Sequence, residues 1–433
     1  MNYILFDDFR WDNLLPLTFT RPVCEIRVGI LTIREKWEQM LGDKCSWLTK
    51  DYLSEKYPLN AEDDNIFING SILPDVSLLK EISKLRSGQV LIQSGQTIVQ
   101  TEEKQILSGE KPIQQEERFI HPIQKIKNED IVIAVRSDEI PDFSASNNFK
   151  AWNKVQFRGK FLQLNHTWDI FSLNGEALIS DFDLITAGKK SGQLCKTNTL
   201  LNPQNIFVEE GVKAESVTLN AESGPIYLGR DSEIMEGSTI RGPFALCENS
   251  TIKMGAKIYG PTTIGPFSKA GGEINNSVIT GYSNKAHDGF LGHSVIGEWC
   301  NIGADSNNSN LKNTYGPVRL WSYPDEKFIH TGLMYCGLIM GDHSKCGINT
   351  MFNTGTVVGV SANIFGSGFP RNFIPSFSWG GPQGYYLYKL DQAIEVAKIV
   401  MSRRNIEFTE TDYKILQVIF DMTQKYRAIG ITH

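Results

Sequence analysis

Residues 228–264 read LGRDSEIMEGSTIRGPFALCENSTIKMGAKIYGPTTI, with an aliphatic residue at every sixth position. The residues that share this spacing are Leu228, Ile234, Ile240, Leu246, Ile252, Ile258 and Ile264. Neither the period of a helix, about 3.6 residues, nor that of a strand, about 2, requires such a pattern. A parallel β-helix with three flat faces does, because each hexapeptide forms one face and points its aliphatic residue into the prism. Chance spacing in a generic β-domain is the weaker alternative, since the rule holds over a long run.

The same spacing returns further along the chain, at Met340, Cys346, Phe352, Val358 and Ile364, with Ile296 and Ile302 as a shorter piece between the two runs. About 18 residues then form one coil, stacked roughly 4.8 Å above the previous coil. Residues 265–295 break the phase, and residues 303–337 form a long polar and aromatic insertion. Because loops that leave a rigid scaffold often carry function, we expect functional residues near these interruptions. The pattern predicts a β-helix domain over residues 200–382.

The first part of the chain, residues 1–185, mixes short apolar runs with helical periodicity. NIFI at 65–68 and QVLI at 89–92 are compatible with buried strands. Thr32 followed by Glu35 predicts a capping box at the start of a helix. These patterns indicate an α/β, Rossmann-like domain. Residues 385–433 are again helical, and we interpret them as a cap or an oligomer contact.

The overall composition narrows the function classes. The 433 residues include 49 acidic and 43 basic ones, without a basic block, so nucleic acid is not an expected partner. Seven cysteines without a CxxC pair are typical of reduced thiols rather than of disulfides or a zinc site. With neither a signal peptide nor a long apolar run, we expect a cytoplasmic protein that does not span a membrane.

One segment concentrates residues that could carry chemistry: GYSNKAHDGFLGHSVIGEWCNIGADSNNSN, residues 281–310. It contains Lys285, His287, His293, Asn301 and Asn310. A histidine on a loop beside a rigid groove can act as a general base near neutral pH, and amides nearby can hold a substrate or an oxyanion. The alternative is a histidine whose hydrogen bonds are satisfied by carbonyls of the coils.

This segment resembles the acetyltransferase domain of the bifunctional enzymes that make UDP-N-acetylglucosamine, and GDHSKCGINTMFNTGTVVG at 341–359 fits the same family spacing. The resemblance implies a left-handed β-helix, with His287 as the base that takes a proton from the amine of glucosamine 1-phosphate. It implies that Asn301 and Asn310 position the sugar and the acyl group. Acetyl-CoA would be contacted, largely through backbone, by Ala304, Ile348 and Gly366.

The sugar-phosphate contacts implied by the resemblance are less regular. Phe290 stands where the family has a tyrosine, and Lys269 matches a phosphate-binding arginine. A second family lysine is replaced by Asn275, and we add Lys285 to the predicted substrate contacts. A sugar or phosphate contact different from that of the family therefore stays open.

The N-terminal segment ILFDDFRWDNLLPLTFTRPVCEIRVGIL, residues 4–31, resembles the glycine-rich nucleotide loop of sugar nucleotidyltransferases. The PLT motif is intact, but the glycines are absent. In INGSILPD, residues 68–75, Ser71 stands where the family aspartate would hold magnesium. HTWDIFSLNGEALISDF, residues 166–182, is similar to the element that closes this domain in archaeal members.

The acidic loop has two interpretations. Carboxylates are suitable magnesium ligands, so the predicted metal site consists of Asp7, Asp8 and Asp12. Positive charge for the phosphates of a nucleotide would come from Arg10, Arg21, Arg27 and Lys36. The alternative is a decayed site on a retained scaffold, or plain surface charge.

The resemblance implies a bifunctional enzyme that N-acetylates an amino-sugar 1-phosphate and transfers a nucleotidyl group, with uridylyl as the expected group. The expected partners are a sugar phosphate, a nucleoside triphosphate and an acyl-CoA, and prisms of this type commonly form homotrimers. The alternative is a regulatory or binding protein, in which a degenerate nucleotidyltransferase domain is mounted on a trimerising β-helix.

Overall fold

The computed structural model describes residues 1–94, 130–143 and 146–427. Its N-terminal part is built on a six-stranded sheet in the order β2-β1-β3-β5-β4-β6. The strands are β1 (Asn2–Phe6), β2 (Cys45–Leu48), β3 (Asn65–Asn69), β4 (Gln89–Gln93), β5 (Ile131–Ser137) and β6 (Asn153–Gln156). β1 runs parallel to β2 and β3, whereas β5 is antiparallel to both of its neighbours, so the sheet is mixed.

Helices accompany this sheet, and the last of them packs against the strand Thr262–Ile264 of the domain that follows. They are α1 (Arg10–Asn13), α2 (Ile33–Leu41), α3 (Val76–Ile82), α4 (Asp169–Ser172) and α5 (Asn174–Thr186), and short 3-10 turns span Val23–Glu25, Asp51–Leu53 and Ser146–Phe149. The predicted capping box is confirmed, because the Thr32 side chain accepts from the Glu35 backbone amide and the Glu35 carboxylate accepts from that of Thr32. Alternate residues of β1 enter different cores, Leu5 on one face of the sheet and Ile4 and Phe6 on the other.

The hexapeptide segment forms a three-faced parallel β-solenoid. The strands of the first face are Thr199–Leu201, Thr218–Asn220, Thr239–Arg241, Lys257–Tyr259, Glu273–Asn275 and Phe290–Gly292, and two further coils contribute Asn307–Asn308 and Met351–Phe352. Those of the second face are Ile206–Val208, Ile226–Leu228, Phe244–Leu246, Thr262–Ile264, Val278–Ile279, Val295–Ile296, Leu338–Met340, Thr356–Val358 and Phe373–Ile374. Those of the third face are Lys213–Ala214, Glu233–Ile234, Thr251–Ile252, Lys269–Ala270, Asn284–Lys285, Asn301–Ile302, Lys345–Cys346, Asn363–Ile364, Ser378–Gly381 and Gly384–Leu387.

The six-residue spacing corresponds to the inward positions of this prism. Every aliphatic residue of the run from Leu228 to Ile264 is at most 2% exposed, and the second run from Met340 to Ile364 is buried as well. The prediction that an α/β domain is followed by a β-helix is therefore confirmed.

The predicted phase break at residues 265–295 is not an interruption of the prism. Leu246 pairs with Ile264, 18 residues on, whereas Ile264 pairs with Ile279, only 15 residues on. The turns between faces are shorter in this region, and the strands still stack in parallel. The spacing rule fails here because it assumes turns of constant length.

The second interruption begins later than predicted. Asn307–Asn308 remains a prism strand, paired with Met351–Phe352. The chain then leaves the prism and forms an antiparallel hairpin of Arg319–Ser322 and Lys327–His330 before it returns at Leu338. The part of 303–337 that projects from the scaffold is thus the segment around this hairpin.

The second face of the prism is covered by the rest of the chain. Its strands carry an outward side chain between two inward ones, and in the middle coils these outward residues are buried and largely apolar: Ala245, Thr263, Val278, Val295, Ile339 and Val357. Val278, Val295, Ile339 and Val357 belong to the same core cluster as Leu14, Leu17 and Phe19 of the α/β domain. One continuous core therefore joins the domain to the prism.

The C-terminal helices α6 (Leu390–Ser402), α7 (Glu410–Met422) and α8 (Gln424–Arg427) join that core through Ile415, Leu416 and Ile419 of α7. Lys56 and Glu55 of the α/β domain form ion pairs with Asp412 and Lys414 of α7. Of the two predicted roles, cap or oligomer contact, the cap agrees with these contacts within the chain. Among the described residues, no helix has the length and apolarity needed to cross a membrane.

Candidate functional site

The turns that lead from the third face to the first follow one another along one edge of the prism, which we call the His287 edge. His287, Ala304, Ile348 and Gly366 all lie on it, each two positions after an inward residue of the third face. Strand pairing aligns those inward residues on successive coils, Ile302 with Cys346 and Cys346 with Ile364. Since neighbouring coils are about 4.8 Å apart, the predicted base and the predicted acetyl-CoA contacts form one row.

His287 itself is exposed, on the loop 286–289. The loop lies against the coil before it, where Gly272 has a φ of +72°. A Cβ at Gly272 would lie 2.7 Å from the Gly289 carbonyl oxygen and 2.9 Å from that of His287. Only glycine allows this approach without displacement, so the backbone of the loop is closely supported while its imidazole is free to meet a substrate.

Polar side chains flank His287 on the third face. Lys269, Asn284 and Asn301 occupy matching outward positions on successive strands, and the side-chain nitrogen Nδ2 of Asn284 lies 3.5 Å from the side-chain oxygen Oδ1 of Asn301. Lys269 and Asn301 are exposed. Phe290 begins the strand of the first face that follows the loop, and it is half-buried. The structure therefore brings Lys269, Asn301 and Phe290 to the surroundings of His287.

Lys285 is not an exposed substrate contact, contrary to the prediction. It occupies an inward position of the third face and is 2% exposed. Its ammonium group donates to the carbonyl oxygens of Gly271 at 3.1 Å and His287 at 2.6 Å. Burial lowers the pKa of this amine to about 8. The side chain lies within the prism because position 285 continues the register of inward residues from Ile279.

Asn310 is not brought to His287. Its side-chain amide lies 2.9 Å from Nδ1 of His293, and it adjoins Gly292 at the far end of the strand Phe290–Gly292. The predicted grouping of Asn310 with His287 is therefore wrong within this chain, because a strand of the first face separates them. His293 is held by stacking on Tyr335 and by an edge contact with Phe171 of α4, with 5.1 and 5.8 Å between ring centroids.

The acidic loop of the α/β domain is held by side chains of its own domain. The Asp8 carboxylate pairs with the Arg10 guanidinium and accepts from the Asn69 amide at 2.9 Å. Arg10 Nε donates to the Asn165 side chain at 2.9 Å. Asp8, just before the short helix α1, thus pairs with Arg10, the first residue of that helix, at the place where glycine-rich loops present backbone amides.

The other two aspartates have separate partners. Asp7 accepts from the Val23 amide at 2.9 Å and the Thr49 hydroxyl at 2.6 Å, and burial raises its pKa to about 7. Asp12 is partly exposed and lies 3.6 Å from Lys50. Across the described ranges, no three His, Cys, Asp or Glu side chains are grouped so that they could hold a metal ion. The three aspartates of the predicted magnesium site are thus not grouped in this structure. Ser71 is buried, and its hydroxyl is hydrogen-bonded to the side chains of Asn69 and Gln163.

The other three residues predicted to contact phosphate, Arg21, Arg27 and Lys36, form ion pairs or hydrogen bonds within the chain instead. Arg21 pairs with Glu298, at 2.9 Å, and with Asp342 of the prism. Arg27 Nε donates to the Thr280 carbonyl oxygen of the prism at 3.1 Å. Lys36 pairs with Asp181 of α5 and is buried. The interpretation of these residues as a cationic phosphate site is corrected, because each buried cation is already paired or hydrogen-bonded within the chain.

Sequence reasoning missed the partners that fix these residues. Asp181 also accepts from the amides of Ile30 and Leu31, and Asp342 also accepts from the Thr20 hydroxyl. These contacts join segments that are far apart along the chain, so no short sequence motif predicts them. The inward place of Lys285 did have a signal, because Ile279, Lys285 and Leu291 are six residues apart.

Comparison with known proteins bears on the α/β domain first. Residues 3–190 match the sugar nucleotidyl transferase family. Over 214 residues the chain is 27% identical to the bifunctional sugar-1-phosphate nucleotidylyltransferase/acetyltransferase of Sulfurisphaera tokodaii. The aligned region covers 49% of this chain and 46% of that relative. Over 122 residues it is 30% identical to the bifunctional protein GlmU of Methanococcus aeolicus, covering 28% of this chain and 27% of the relative.

The chain thus matches less than half the length of these curated relatives. The resemblance inferred from the sequence is confirmed, and the relative from Sulfurisphaera tokodaii is named as a transferase of both expected kinds. A solved structure of a mutant of AntD, an N-acyltransferase from Bacillus cereus in complex with dTDP and coenzyme A, is 10% identical and covers 48% of this chain and 91% of its own, with a TM-score of 0.22. At that score the likeness has no bearing on function.

Proposed function

We propose that the prism transfers an acyl group, expected to be acetyl, from an acyl-CoA to the amine of an amino-sugar 1-phosphate, with His287 as the general base. The observation that carries the proposal is the row of His287, Ala304, Ile348 and Gly366 on one edge of the prism. These are the residues to which the family resemblance assigns the base and the acyl-CoA contacts. The name of the Sulfurisphaera tokodaii relative, which includes an acetyltransferase, supports the same activity.

The chemistry needs few groups. The amine nitrogen of the sugar attacks the thioester carbonyl, and the imidazole of His287 accepts the proton that the nitrogen loses. The tetrahedral intermediate then breaks its carbon–sulfur bond, and the sulfur of CoA leaves as a thiolate that takes up the proton held by the imidazolium, which gives the free thiol. An exposed imidazole on a supported loop is suited to this role, and the exposed Lys269 and Asn301 on the adjacent face could hold the phosphate and a hydroxyl of the sugar.

The test is acyl transfer followed by release of free thiol. The purified chain is incubated with acetyl-CoA and glucosamine 1-phosphate, and His287→Ala is compared with His330→Ala, an exposed histidine on the projecting hairpin. We expect His287→Ala to lose at least a hundredfold in kcat, within the ordinary range for loss of a general base, and His330→Ala to match the unaltered chain. Absence of thiol release in the unaltered chain, or equal release from His287→Ala, would contradict the proposal.

We further propose that the α/β domain transfers a nucleotidyl group, expected to be uridylyl, to the sugar 1-phosphate. The family match over residues 3–190 supports this activity. The closure of the acidic loop by Asp8, Arg10 and Asn165 favours the alternative, in which a degenerate domain only binds a sugar nucleotide. For nucleotidyl transfer to occur, the Arg10 guanidinium would have to leave the Asp8 carboxylate and bind a phosphate of the nucleotide.

Pyrophosphate release from UTP and N-acetylglucosamine 1-phosphate distinguishes the two readings. It is measured with and without magnesium for the unaltered chain, for Arg10→Ala, and for the exposed-residue control Arg86→Ala. Release that only Arg10→Ala abolishes supports the enzyme. If no pyrophosphate is released while calorimetry detects binding of UDP-N-acetylglucosamine, the regulatory reading is supported.

The assembly is also a proposal. We expect a homotrimer whose subunits meet near the His287 edge. The reason is that two apolar side chains are exposed in this region: Ile348 on the edge is 70% exposed, and Phe369 just beyond it is 56% exposed. Light scattering that gives the mass of a monomer would contradict it.

A further inference from the structure

Lys285 is unusual among the inward residues of the third face. Its neighbours in that row are Ala270, Ile302 and Cys346, all small or apolar. A lysine inside a prism must lose most of the hydration of its ammonium group, which is unfavourable unless that group is hydrogen-bonded. The preceding residue in the row is alanine, and this leaves room for the longer chain of Lys285.

The ammonium group of Lys285 finds its partners at the His287 edge. It donates to the carbonyl oxygen of Gly271, on the coil before, and to that of His287 on its own coil. The ammonium group of Lys285 is thus hydrogen-bonded to two successive turns of the edge, and one of its two acceptors is the backbone carbonyl of His287. Asp288 and Asp305 are the carboxylates whose charges favour the ammonium form.

The supporting coil contributes a second constraint on the same loop. Gly272 lies so close to His287 and Gly289 that a Cβ at that position would be in conflict with both carbonyl oxygens. The loop 286–289 is therefore held from the neighbouring coil by contact and from inside the prism by Lys285. An exposed side chain on a loop is ordinarily mobile, and these two contacts restrict the backbone beneath it.

We propose that Lys285 is a positioning residue for His287, which fixes from inside the prism the backbone of the loop that presents the imidazole. The inference rests on the proposed acyl transfer and adds to it a residue that touches no substrate. The productive orientation of a general base contributes strongly to its rate, because small displacements misalign the proton transfer.

The test compares Lys285→Met with Lys345→Met. Methionine suits an inward position and lacks the charge. Lys345 is a matched control, because it is a mostly buried lysine that donates to a backbone carbonyl, that of His343, on another edge of the prism. Thiol release from acetyl-CoA and glucosamine 1-phosphate gives kcat and KM, and circular dichroism establishes that both variants fold.

We expect Lys285→Met to lower kcat about tenfold to a hundredfold, with KM for acetyl-CoA within about twofold of the unaltered chain. Lys345→Met should keep kcat within about twofold, because it leaves the loop 286–289 unaltered; KM is not part of this control, since Lys345 pairs with Asn301 on the adjacent coil. In Lys285→Ala, which leaves a space beneath the loop, added propylamine should restore several-fold activity. A merely structural role would give no such restoration. Unaltered kcat in Lys285→Met, with His287→Ala inactive, would overturn the inference.

Hydrogen exchange separates this inference from the proposed function. The amides of Glu273 and Asp305, which donate to the carbonyl oxygens of Gly289 and Asp288 in the loop, should exchange at least tenfold faster in Lys285→Met than in Lys345→Met, and this readout does not require acyl transfer. Faster exchange without activity in the unaltered chain would contradict the function but retain the positioning contact. Unchanged exchange would overturn the inference in either case.

Discussion

At the scale of single residues, burial decides the protonation of His293. Burial lowers the pKa of its imidazole to about 4, and Nδ1 lies 2.9 Å from the Asn310 amide, which agrees with a neutral ring that accepts this hydrogen bond. Below an unfolded-state pKa of about 6.5, the unfolded chain binds a proton that the folded chain excludes. The contribution of His293 to stability is therefore fully present above that pH and decreases as the pH falls towards 4.

The variant His293→Asn tests this dependence. Asparagine cannot titrate, it keeps an acceptor for Asn310, and it tolerates the positive φ of 48° found at this position. We expect the unaltered chain to lose about 2 kcal/mol more stability than the variant between pH 7.5 and pH 5, measured by urea unfolding. His343 is present in both proteins and does not affect the difference. Parallel stability curves would show that His293 is not the group that titrates.

At the scale of elements, the sequence predicted the inward positions of the prism because stacked strands repeat one local requirement. It also predicted the helix start at Thr32, because a capping box depends on two residues three positions apart. It misjudged residues 265–295, where the strands keep their pairing while the turns between them shorten. Turn length is set by the contacts of each corner, and these are not periodic.

The outward residues of the second face bind the prism to the α/β domain, and Val295 is a fully buried example. We expect Val295→Ala to lower the free energy of unfolding by about 1–3 kcal/mol, because the packed interface cannot fully close around the missing methyl groups. The control is Thr239→Ala, an exposed outward residue of the first face, which should change stability by less than about 0.5 kcal/mol. Equal effects of the two changes in urea unfolding would show that the second face is not tightly packed.

At the scale of the whole molecule, the candidate site was only partly predictable. The row His287, Ala304, Ile348 and Gly366 could be found because regular coils bring equivalent positions into register. The partners of Arg10 and Arg21 could not, because Asn165 and Asp342 are distant along the chain. The two arginines predicted to bind phosphate have partners within the chain instead. Arg10 holds the acidic loop, and Arg21 connects the α/β domain to the prism.

The pairing of Arg21 with Asp342 and Glu298 is a charged contact between the α/β domain and the prism. The Asp342 carboxylate also accepts from the Thr20 hydroxyl at 2.7 Å and the Glu298 amide at 2.8 Å. Both partners of the Arg21–Asp342 pair are buried, so removing one charge leaves the other poorly compensated.

We therefore expect Asp342→Asn to lower the free energy of unfolding by about 1–3 kcal/mol, since Arg21 keeps Glu298 as a partner, and the double change with Arg21→Met to recover part of that loss, because it removes the cation as well. Urea unfolding of the unaltered chain, both single variants and the double variant measures the coupling. The exposed pair Lys84 and Glu81 on the surface of the same domain is the control, and the corresponding cycle should give less than about 1 kcal/mol. If Asp342→Asn and Arg21→Met simply add, the two side chains do not act as one contact, and the apolar core alone holds the domain on the prism.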